Sequence, residues 1–119
     1  MTTKASYQRA RKEAEQYFHD RNWKPFPFQK ETWKSYAEGK SGLVHAPTGT
    51  GKTYAGWTPI LLEWMSEQKG KEMPKRPPQL RVLWLTPLRA LVEDTTRTLE
   101  ELSEGLGLPW SIQSRTGDP

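Results

Sequence analysis

Residues 46–53 read APTGTGKT, and these residue types in this order can hold a phosphate chain. Glycines let the backbone approach a ligand closely, so successive N–H groups can bind phosphate oxygens. The Lys52 ammonium can reach β- and γ-phosphates, and the Thr53 hydroxyl can ligate Mg²⁺. The candidate catalytic residues are Lys52 and Thr53. The candidate nucleotide-binding residues of this run are Thr48, Gly49, Thr50, Gly51, Lys52 and Thr53.

The sequence on either side of the run favours a phosphate-binding loop over a chance Gly-Thr turn. The strict pattern has glycine at its first position, where this chain has Ala46, but the Gly-Lys-Thr ending matches. An apolar run, 43–46, precedes the loop and predicts a buried strand. A helix is predicted from about residue 51 to residue 68, with Pro59 inside it. A strand before the loop and a helix after it are the setting that the motif requires.

Gln29 lies 23 positions before Lys52 and is a candidate for recognising adenine. Its amide offers one kind of donor and one acceptor, which match the N6 and N7 edge of adenine and would favour ATP over GTP. The alternative is a glutamine that starts a helix and faces water. Trp23 or Phe26 could pack on the adenine face, or either could belong to the core.

The coarse pattern of elements predicts an α/β fold. Helices are predicted over residues 4–20, 29–38 (ended by Gly39), 51–68 and 87–105, the last with Thr86 as N-cap. Strands are predicted over 43–46, 81–86 and 110–114, the first two of them buried. This alternation favours a parallel sheet with flanking helices and right-handed crossovers. We expect N-terminal helices with the adenine motif over 1–40, and the front part of a larger, incomplete nucleotide-binding domain over 41–119.

Bulk properties exclude several classes of protein. The chain has 119 residues, a formal net charge of +4, a pI near 9.4 and no cysteine, so disulfides and thiolate zinc sites are excluded. No apolar run reaches the roughly 20 residues of a membrane span, and the first residues lack a signal-peptide core. A cytoplasmic location without membrane association is therefore expected. The mild basic excess suits an anionic partner, although on charge alone ordinary solvated lysines and arginines explain it better.

Two short blocks are candidates for contacts with a nucleic-acid backbone. Thr86, Pro87 and Arg89 follow the second predicted strand, at the sheet edge where open α/β sheets bind ligands. A helix opening there presents free N–H groups, and an arginine adds charge, which together suit a phosphate. The second block, after the third predicted strand, consists of Arg115, Thr116 and Gly117. The alternatives are a surface arginine and a simple Thr-Gly-Asp turn.

Taken in order, four motifs resemble those of superfamily 2 helicases, and most closely the Lhr-type family that includes the ligase-associated DEXH box helicases. They are PFPFQ at 25–29, APTGTGKT at 46–53, TPLRAL at 86–91 and RTGD at 115–118, and the resemblance covers residues 20–118. It implies a partial RecA-like domain that uses ATP and Mg²⁺. It also implies a parent protein that translocates 3′ to 5′ on single strands and unwinds DNA or RNA:DNA duplexes in DNA repair.

The chemistry of hydrolysis needs further groups. A carboxylate for Mg²⁺ and a group that positions water usually follow a second strand, and an arginine completes charge stabilisation. The resembled family takes these from an Asp-Glu-x-His box and a second RecA-like domain. Glu93 and Asp94 lie in a predicted helix instead. We therefore expect the chain alone not to hydrolyse ATP and to need the remainder of a helicase for its complete fold. The rival interpretations are a kinase-like nucleotide-binding enzyme and a non-catalytic nucleic-acid-binding module.

Overall fold

The computed structural model describes residues 4–45, 49–68, 74, 76–85 and 92–115. Four helices lie within them: α1 (Lys4–Asp20), α2 (Pro27–Ala37), α3 (Gly49–Glu67) and α4 (Val92–Gly105). The chain divides into two compact units, Met1–Glu72 and Met73–Pro119. The first unit holds α1, α2 and α3, and the second holds α4.

Helix α1 forms because its apolar side chains return at helical spacing, as predicted. Tyr7, Ala10, Ala14 and Phe18 make one buried face that packs on α3. The helix ends through Asn22, whose positive φ of 60° lets Trp23 N–H donate to Phe18 O at 2.8 Å. This left-handed closing turn tolerates asparagine better than most residues. The predicted helix over residues 4–20 is confirmed.

Helix α2 begins two residues before the predicted start because Pro27 occupies its first turn. Proline suits that position, since its fixed φ is helical and its missing N–H has no partner there anyway. Phe26 precedes it in an extended conformation, with φ −75° and ψ 154°. Gly39, with φ 80°, follows the helix and lets Lys40 N–H donate to Ser35 O at 3.0 Å. The prediction that Gly39 terminates this helix is confirmed.

Helix α3 is the central element of the first unit, because α1 and α2 both pack on it. Its side chains are buried around most of its circumference, with Ala55, Leu61 and Leu62 fully inaccessible. The helix continues through Pro59, which is itself buried. It begins at Gly49, two residues earlier than predicted, so Gly51 lies within the helix and has no unusual backbone angle.

An aromatic cluster joins the three helices of the first unit around Phe18. The Phe18 ring lies edge-on to Trp23, Trp33 and Tyr54, with centroid distances of 5.8, 5.7 and 5.5 Å. Trp23 also lies 5.4 Å from Tyr54. Such edge-to-face pairs contribute about 0.5–1.5 kcal/mol each beyond the area they bury. The cluster therefore fixes where the first turns of α3 lie against α1 and α2.

Helix α4 anchors the second unit. Leu99 and Leu102 are buried on one face, as predicted, and Ser103 Oγ donates to Leu99 O at 2.9 Å. The helix ends at Gly105, and Gly107 (φ 76°) then supplies the left-handed turn that brings Leu108 N–H to Ser103 O. The predicted start of this helix at Pro87, with Thr86 as its cap, lies outside the described residues.

The three predicted strands are not confirmed. None of the described residues within 43–45, 81–85 and 110–114 belongs to a strand, and residues 46 and 86 are not described. Leu83 and Leu85 are 76% and 82% exposed, whereas a strand of a parallel sheet is buried on both faces. A strand exists only through hydrogen bonds to a neighbouring strand, so apolar sequence alone does not produce it. No helix in the described part of the chain is long and apolar enough to cross a membrane.

Candidate nucleotide-binding site

The first turns of α3 carry the end of the predicted phosphate-binding loop. Gly51 is buried, Lys52 is exposed and Thr53 is half-buried. Of the earlier residues, the structure describes Gly49 and Thr50 only as part of the helix backbone, and Thr48 lies outside the described residues. The loop therefore delivers its lysine to solvent at the N-terminal end of a buried helix.

The charges around Lys52 leave it available to an anion. No ion pair among the described residues involves it. The first turn of α3 contains no acidic residue, and the first carboxylate in the helix is that of Glu63. The N-terminal N–H groups of a helix lack partners inside it and carry the positive end of its dipole. An exposed ammonium at this end of a helix fits the β- and γ-phosphates of a nucleotide, and the Thr53 hydroxyl is a suitable ligand for Mg²⁺.

Gln29 lies inside the protein and links α2 to α3. It is 3% exposed. Its Oε1 accepts a hydrogen bond from Phe26 N–H at 2.8 Å, and its Nε2 donates to Gly51 O at 3.0 Å. Each amide atom retains one unused position, a second N–H and a second lone pair. The adenine-reading role of Gln29 stays a prediction, and it requires those unused positions or an exchange of partners.

Trp33 makes a second link from α2 to α3. Its ring is fully buried, and its Nε1–H donates to Tyr54 O at 3.1 Å. Gln29 and Trp33 are four residues apart, so they share one face of α2. Their acceptors, the carbonyls of Gly51 and Tyr54, lie immediately before and immediately after Lys52 and Thr53 in the chain. We call these two hydrogen bonds the α2–α3 clamp.

Two exposed aromatic rings lie near the start of α2. Phe26 is 54% exposed and stacks on Phe28, with centroids 5.9 Å apart and planes inclined by 9°. Trp23 is 42% exposed, but its ring contacts Tyr17, Phe18 and Tyr54 in the aromatic cluster. Trp23 therefore belongs at least partly to the core, whereas Phe26 keeps more than half of its surface open.

Of the predicted nucleic-acid contacts, only Arg115 is described. Its side chain is exposed, and its guanidinium donates to Ser114 O at 3.1 Å and to Gln113 Oε1 at 3.3 Å. Both bonds are local, so the guanidinium remains accessible to a phosphate. Thr86, Pro87, Arg89, Thr116 and Gly117 lie outside the described residues. Their nucleic-acid role stays a prediction.

The acidic pair Glu93 and Asp94 lies in a helix, as predicted. Glu93 and Asp94 are exposed in the first turn of α4. Asp94 Oδ1 lies 3.8 Å from Arg97, one turn further along the helix. Acidic residues are favourable at a helix N-terminus, which explains their presence. Among the described residues, no group of three His, Asp or Glu side chains could hold a metal ion.

The clamp was missed in the sequence, although a signal for it exists. The sequence gives Gln29 either an adenine-reading role or a position at a helix start facing water, and it gives Trp33 no role; the burial of Gln29 shows that the water-facing alternative is wrong. Their spacing of four places both on the face of α2 that carries its buried residues. A buried tryptophan usually finds an acceptor for its N–H. That rule predicts a partner, but only the structure identifies it as a backbone carbonyl beside the phosphate-binding residues.

Comparison with known protein families identifies the family of this chain. The DEAD/DEAH box helicase family matches residues 26–119. The chain belongs to this helicase family. The match begins at Phe26, the cap of α2, and it includes the glycine-rich loop and both predicted nucleic-acid blocks. Membership implies a RecA-like fold and, in general, the use of ATP and Mg²⁺.

Curated relatives of the chain are helicases. The Lhr helicase/probable uracil glycosylase of Mycolicibacterium smegmatis is 34% identical over 106 residues, covering 79% of this chain and 7% of that protein. Nucleolar RNA helicase 2-B of Xenopus laevis is 38% identical over 81 residues, covering 68% and 10%. The ATP-dependent helicase Lhr-Core of Methanocaldococcus jannaschii is 34% identical over 82 residues, covering 68% and 9%.

The chain thus spans about a tenth or less of each of these three helicases. No solved structure matches it. The resemblance to superfamily 2 helicases, with Lhr helicases among the relatives, is confirmed.

Proposed function

We propose that this chain supplies the ATP-binding elements of an ATP-dependent helicase or translocase that acts on nucleic acid. Family membership supports the reaction class. The observation that carries the assignment to this site is the exposed Lys52, which has no ion pair among the described residues and lies in a helix terminus free of acidic residues. An enzyme that grips triphosphates needs such an uncompensated cation where the phosphates bind.

Phe26 and Gln29 are proposed to form the adenine side of the site. The open face of Phe26 can stack on a purine, and Trp23 is less suited because the aromatic cluster holds it. Gln29 lies three residues beyond Phe26 and already contacts Gly51 O, next to Lys52. A base stacked on Phe26 and phosphates bound by Lys52 would therefore lie at the adjoining starts of α2 and α3. This arrangement is proposed to favour ATP over GTP.

Contacts to nucleic acid are proposed for Arg89 and Arg115, with Thr86, Pro87, Thr116 and Gly117 contributing hydroxyl and backbone groups. Contacts of this kind hold the phosphate backbone and carry no base sequence. They suit movement along a single strand of DNA, or of an RNA:DNA hybrid, at any sequence. The relatives include both RNA helicases and Lhr helicases. For this chain, DNA as the preferred nucleic acid and a role in DNA repair are proposed.

The RecA-like sheet is proposed to form when the apolar segments 43–46, 81–86 and 110–114 pair with each other and with further strands of the helicase. The exposed Leu83 and Leu85 are then covered, as parallel strands require. Hydrolysis additionally needs a carboxylate for Mg²⁺ and a water-positioning group, which Glu93 and Asp94 do not provide from the start of α4. The chain by itself is therefore expected to bind ATP weakly and not to hydrolyse it.

Steady-state ATPase assays of the full-length protein that contains this chain test the function. The expected result is ATP hydrolysis that single-stranded nucleic acid stimulates. Hydrolysis or phosphoryl transfer to a small molecule that is indifferent to nucleic acid would support a kinase-like enzyme instead. Strong nucleic-acid binding that falls steeply with salt and ignores ATP would support a non-catalytic module.

The adenine assignment has its own matched pair of variants. Phe26→Ala is expected to raise the KM for ATP, because an exposed stacking surface is lost. Trp23→Ala removes a similarly exposed ring and is expected to lower stability through the aromatic cluster with less effect on KM. A KM that responds to Trp23→Ala and not to Phe26→Ala would contradict the assignment.

A further inference from the structure

The α2–α3 clamp has a geometry that general packing does not require. One of its hydrogen bonds ends on the carbonyl before Lys52 and the other on the first carbonyl after Thr53, at 3.0 and 3.1 Å. Helix carbonyls at these positions already face the helix's own N–H groups, so each side-chain donor uses a second lone pair. The clamp therefore fixes both ends of the Lys52–Thr53 pair without touching either side chain.

The half of the clamp formed by Trp33 is supported from behind by α1. Tyr7 Oη donates to Trp33 O at 3.2 Å, and the Arg11 guanidinium lies 5.8 Å from the centre of the Trp33 ring. Phe18 lies edge-on to the same ring. Side chains of α1 thus contact both the backbone and the ring of Trp33. These contacts and the complete burial of the ring restrict its movement, and its N–H donates to Tyr54 O.

We propose that Trp33 is a positioning residue for the phosphate-binding lysine and threonine. By holding the Tyr54 carbonyl, Trp33 sets the position of the first turns of α3, and hence where Lys52 and Thr53 meet a nucleotide. Positioning errors near one ångström in such groups lower rates by up to about a hundredfold. Helix α1, whose side chains support Trp33, precedes Phe26 and therefore lies outside the family match. The positioning of Lys52 and Thr53 thus also depends on residues that the family match does not cover. The inference rests on the proposed ATP-binding function.

Two changes at position 33 separate the hydrogen bond from the ring. A benzothienyl analogue of tryptophan, in which sulfur replaces the indole N–H, keeps the ring's shape and removes only the donor. Trp33→Phe removes the donor and part of the ring. In the full-length helicase, the analogue is expected to lower the kcat for ATP about fivefold, as for one net hydrogen bond. Trp33→Phe is expected to lower kcat further. In both, kcat should fall by more than KM rises, because the grip on the γ-phosphate matters most in the transition state.

Trp64→Phe is the matched control. Trp64 is buried in the same α3 but lies beyond Pro59, away from Lys52. It is expected to lower the melting temperature and to leave kcat near the wild-type value. An equal loss of kcat in Trp64→Phe, or an unchanged kcat with the benzothienyl analogue, overturns the positioning role.

Lys52→Ala, measured in parallel, keeps the two claims apart. If Lys52→Ala abolishes hydrolysis while both changes at position 33 leave kcat and KM unchanged, the positioning inference fails and the proposed function stands. If Lys52→Ala hydrolyses ATP at the wild-type rate, the proposed function itself fails.

Discussion

Replacing Gln29 tests the link between α2 and the phosphate-binding helix. Gln29→Ala removes two hydrogen bonds, the cap on Phe26 N–H and the bond to Gly51 O, from a side chain that is 3% exposed. At about 1 kcal/mol net for each bond, the loss is about 2 kcal/mol, and the space left in the interior adds about 1 kcal/mol. We therefore expect Gln29→Ala to lower the free energy of unfolding by about 3 kcal/mol.

Gln29→Glu separates the two bonds, because a carboxylate keeps the acceptor and loses the donor. One oxygen can still accept from Phe26 N–H, and the start of α2 favours an acidic residue there by about 0.3–1 kcal/mol. The other oxygen faces the Gly51 carbonyl, which repels it, and burial disfavours the charge. Both effects raise the pKa of the introduced carboxyl above its ordinary value, so its ionised form destabilises the fold at neutral pH. The destabilisation from burial and from repulsion by the Gly51 carbonyl is therefore expected to exceed the stabilisation from the helix N-terminus.

The Gln29→Glu variant consequently gains stability in acid. A protonated carboxyl can donate to Gly51 O, and its folded-state pKa lies above the ordinary value of about 4.3. The sign follows: the contribution is fully present below the unfolded-state pKa and is lost as pH rises through the folded-state pKa. The expected loss relative to wild type therefore develops between about pH 4 and pH 7.

Urea unfolding followed by tryptophan fluorescence, at pH 4.5 and pH 7.5, measures these differences. Wild type is compared at each pH, so that the titration of other carboxylates cancels. If Gln29→Glu matched wild type at pH 7.5, or lost the same amount at both values, the bond to Gly51 O would not contribute as described. If Gln29→Ala lowered the free energy of unfolding by less than about 0.5 kcal/mol, neither hydrogen bond of Gln29 would contribute as described, since that is the range of an ordinary surface change.

Two further predictions concern the first unit. Gly39→Ala is expected to cost about 1 kcal/mol in urea unfolding, because φ is 80° there and no atom lies near enough to clash, whereas Gly42→Ala, equally open but without positive φ, should cost almost nothing; equal effects would contradict the left-handed turn. Burial raises the pKa of Tyr7, against a smaller lowering by Arg11, so its stabilising contribution is complete below the ordinary pKa of about 10 and declines above it. Tyr7→Phe should therefore flatten the loss of stability between about pH 9 and pH 11, and an unchanged slope would contradict the burial of an ionisable hydroxyl.

The helices could be predicted from sequence because their signals are local. The buried face of α1 follows from residues three and four apart, and the end of α2 follows from Gly39. Helix starts were less predictable: α2 begins at Pro27 and α3 begins at Gly49, each two residues before its predicted start. Proline at a helix start and proline before one differ only in what the following residues do.

The strands could not be established by the same reasoning. Apolar runs such as 81–86 indicate burial, but a strand is defined by hydrogen bonds to partners that local sequence does not identify. The site shows the same division. The glycine-rich loop and Gln29 were recognisable by type and spacing, whereas the carbonyls that Gln29 and Trp33 contact depend on how α2 packs on α3.

The central claim is that Lys52 holds the phosphates of ATP, and equilibrium binding tests it most directly. A fluorescent ATP analogue is titrated, with Mg²⁺, into the full-length protein as wild type, Lys52→Ala and Lys30→Ala; Lys30 is an exposed lysine of α2 with no ion pair among the described residues. The account predicts that Lys52→Ala weakens binding at least tenfold, on the order of 1.4 kcal/mol or more, while Lys30→Ala binds like wild type. Wild-type affinity in Lys52→Ala, or an equal loss in Lys30→Ala, would contradict it.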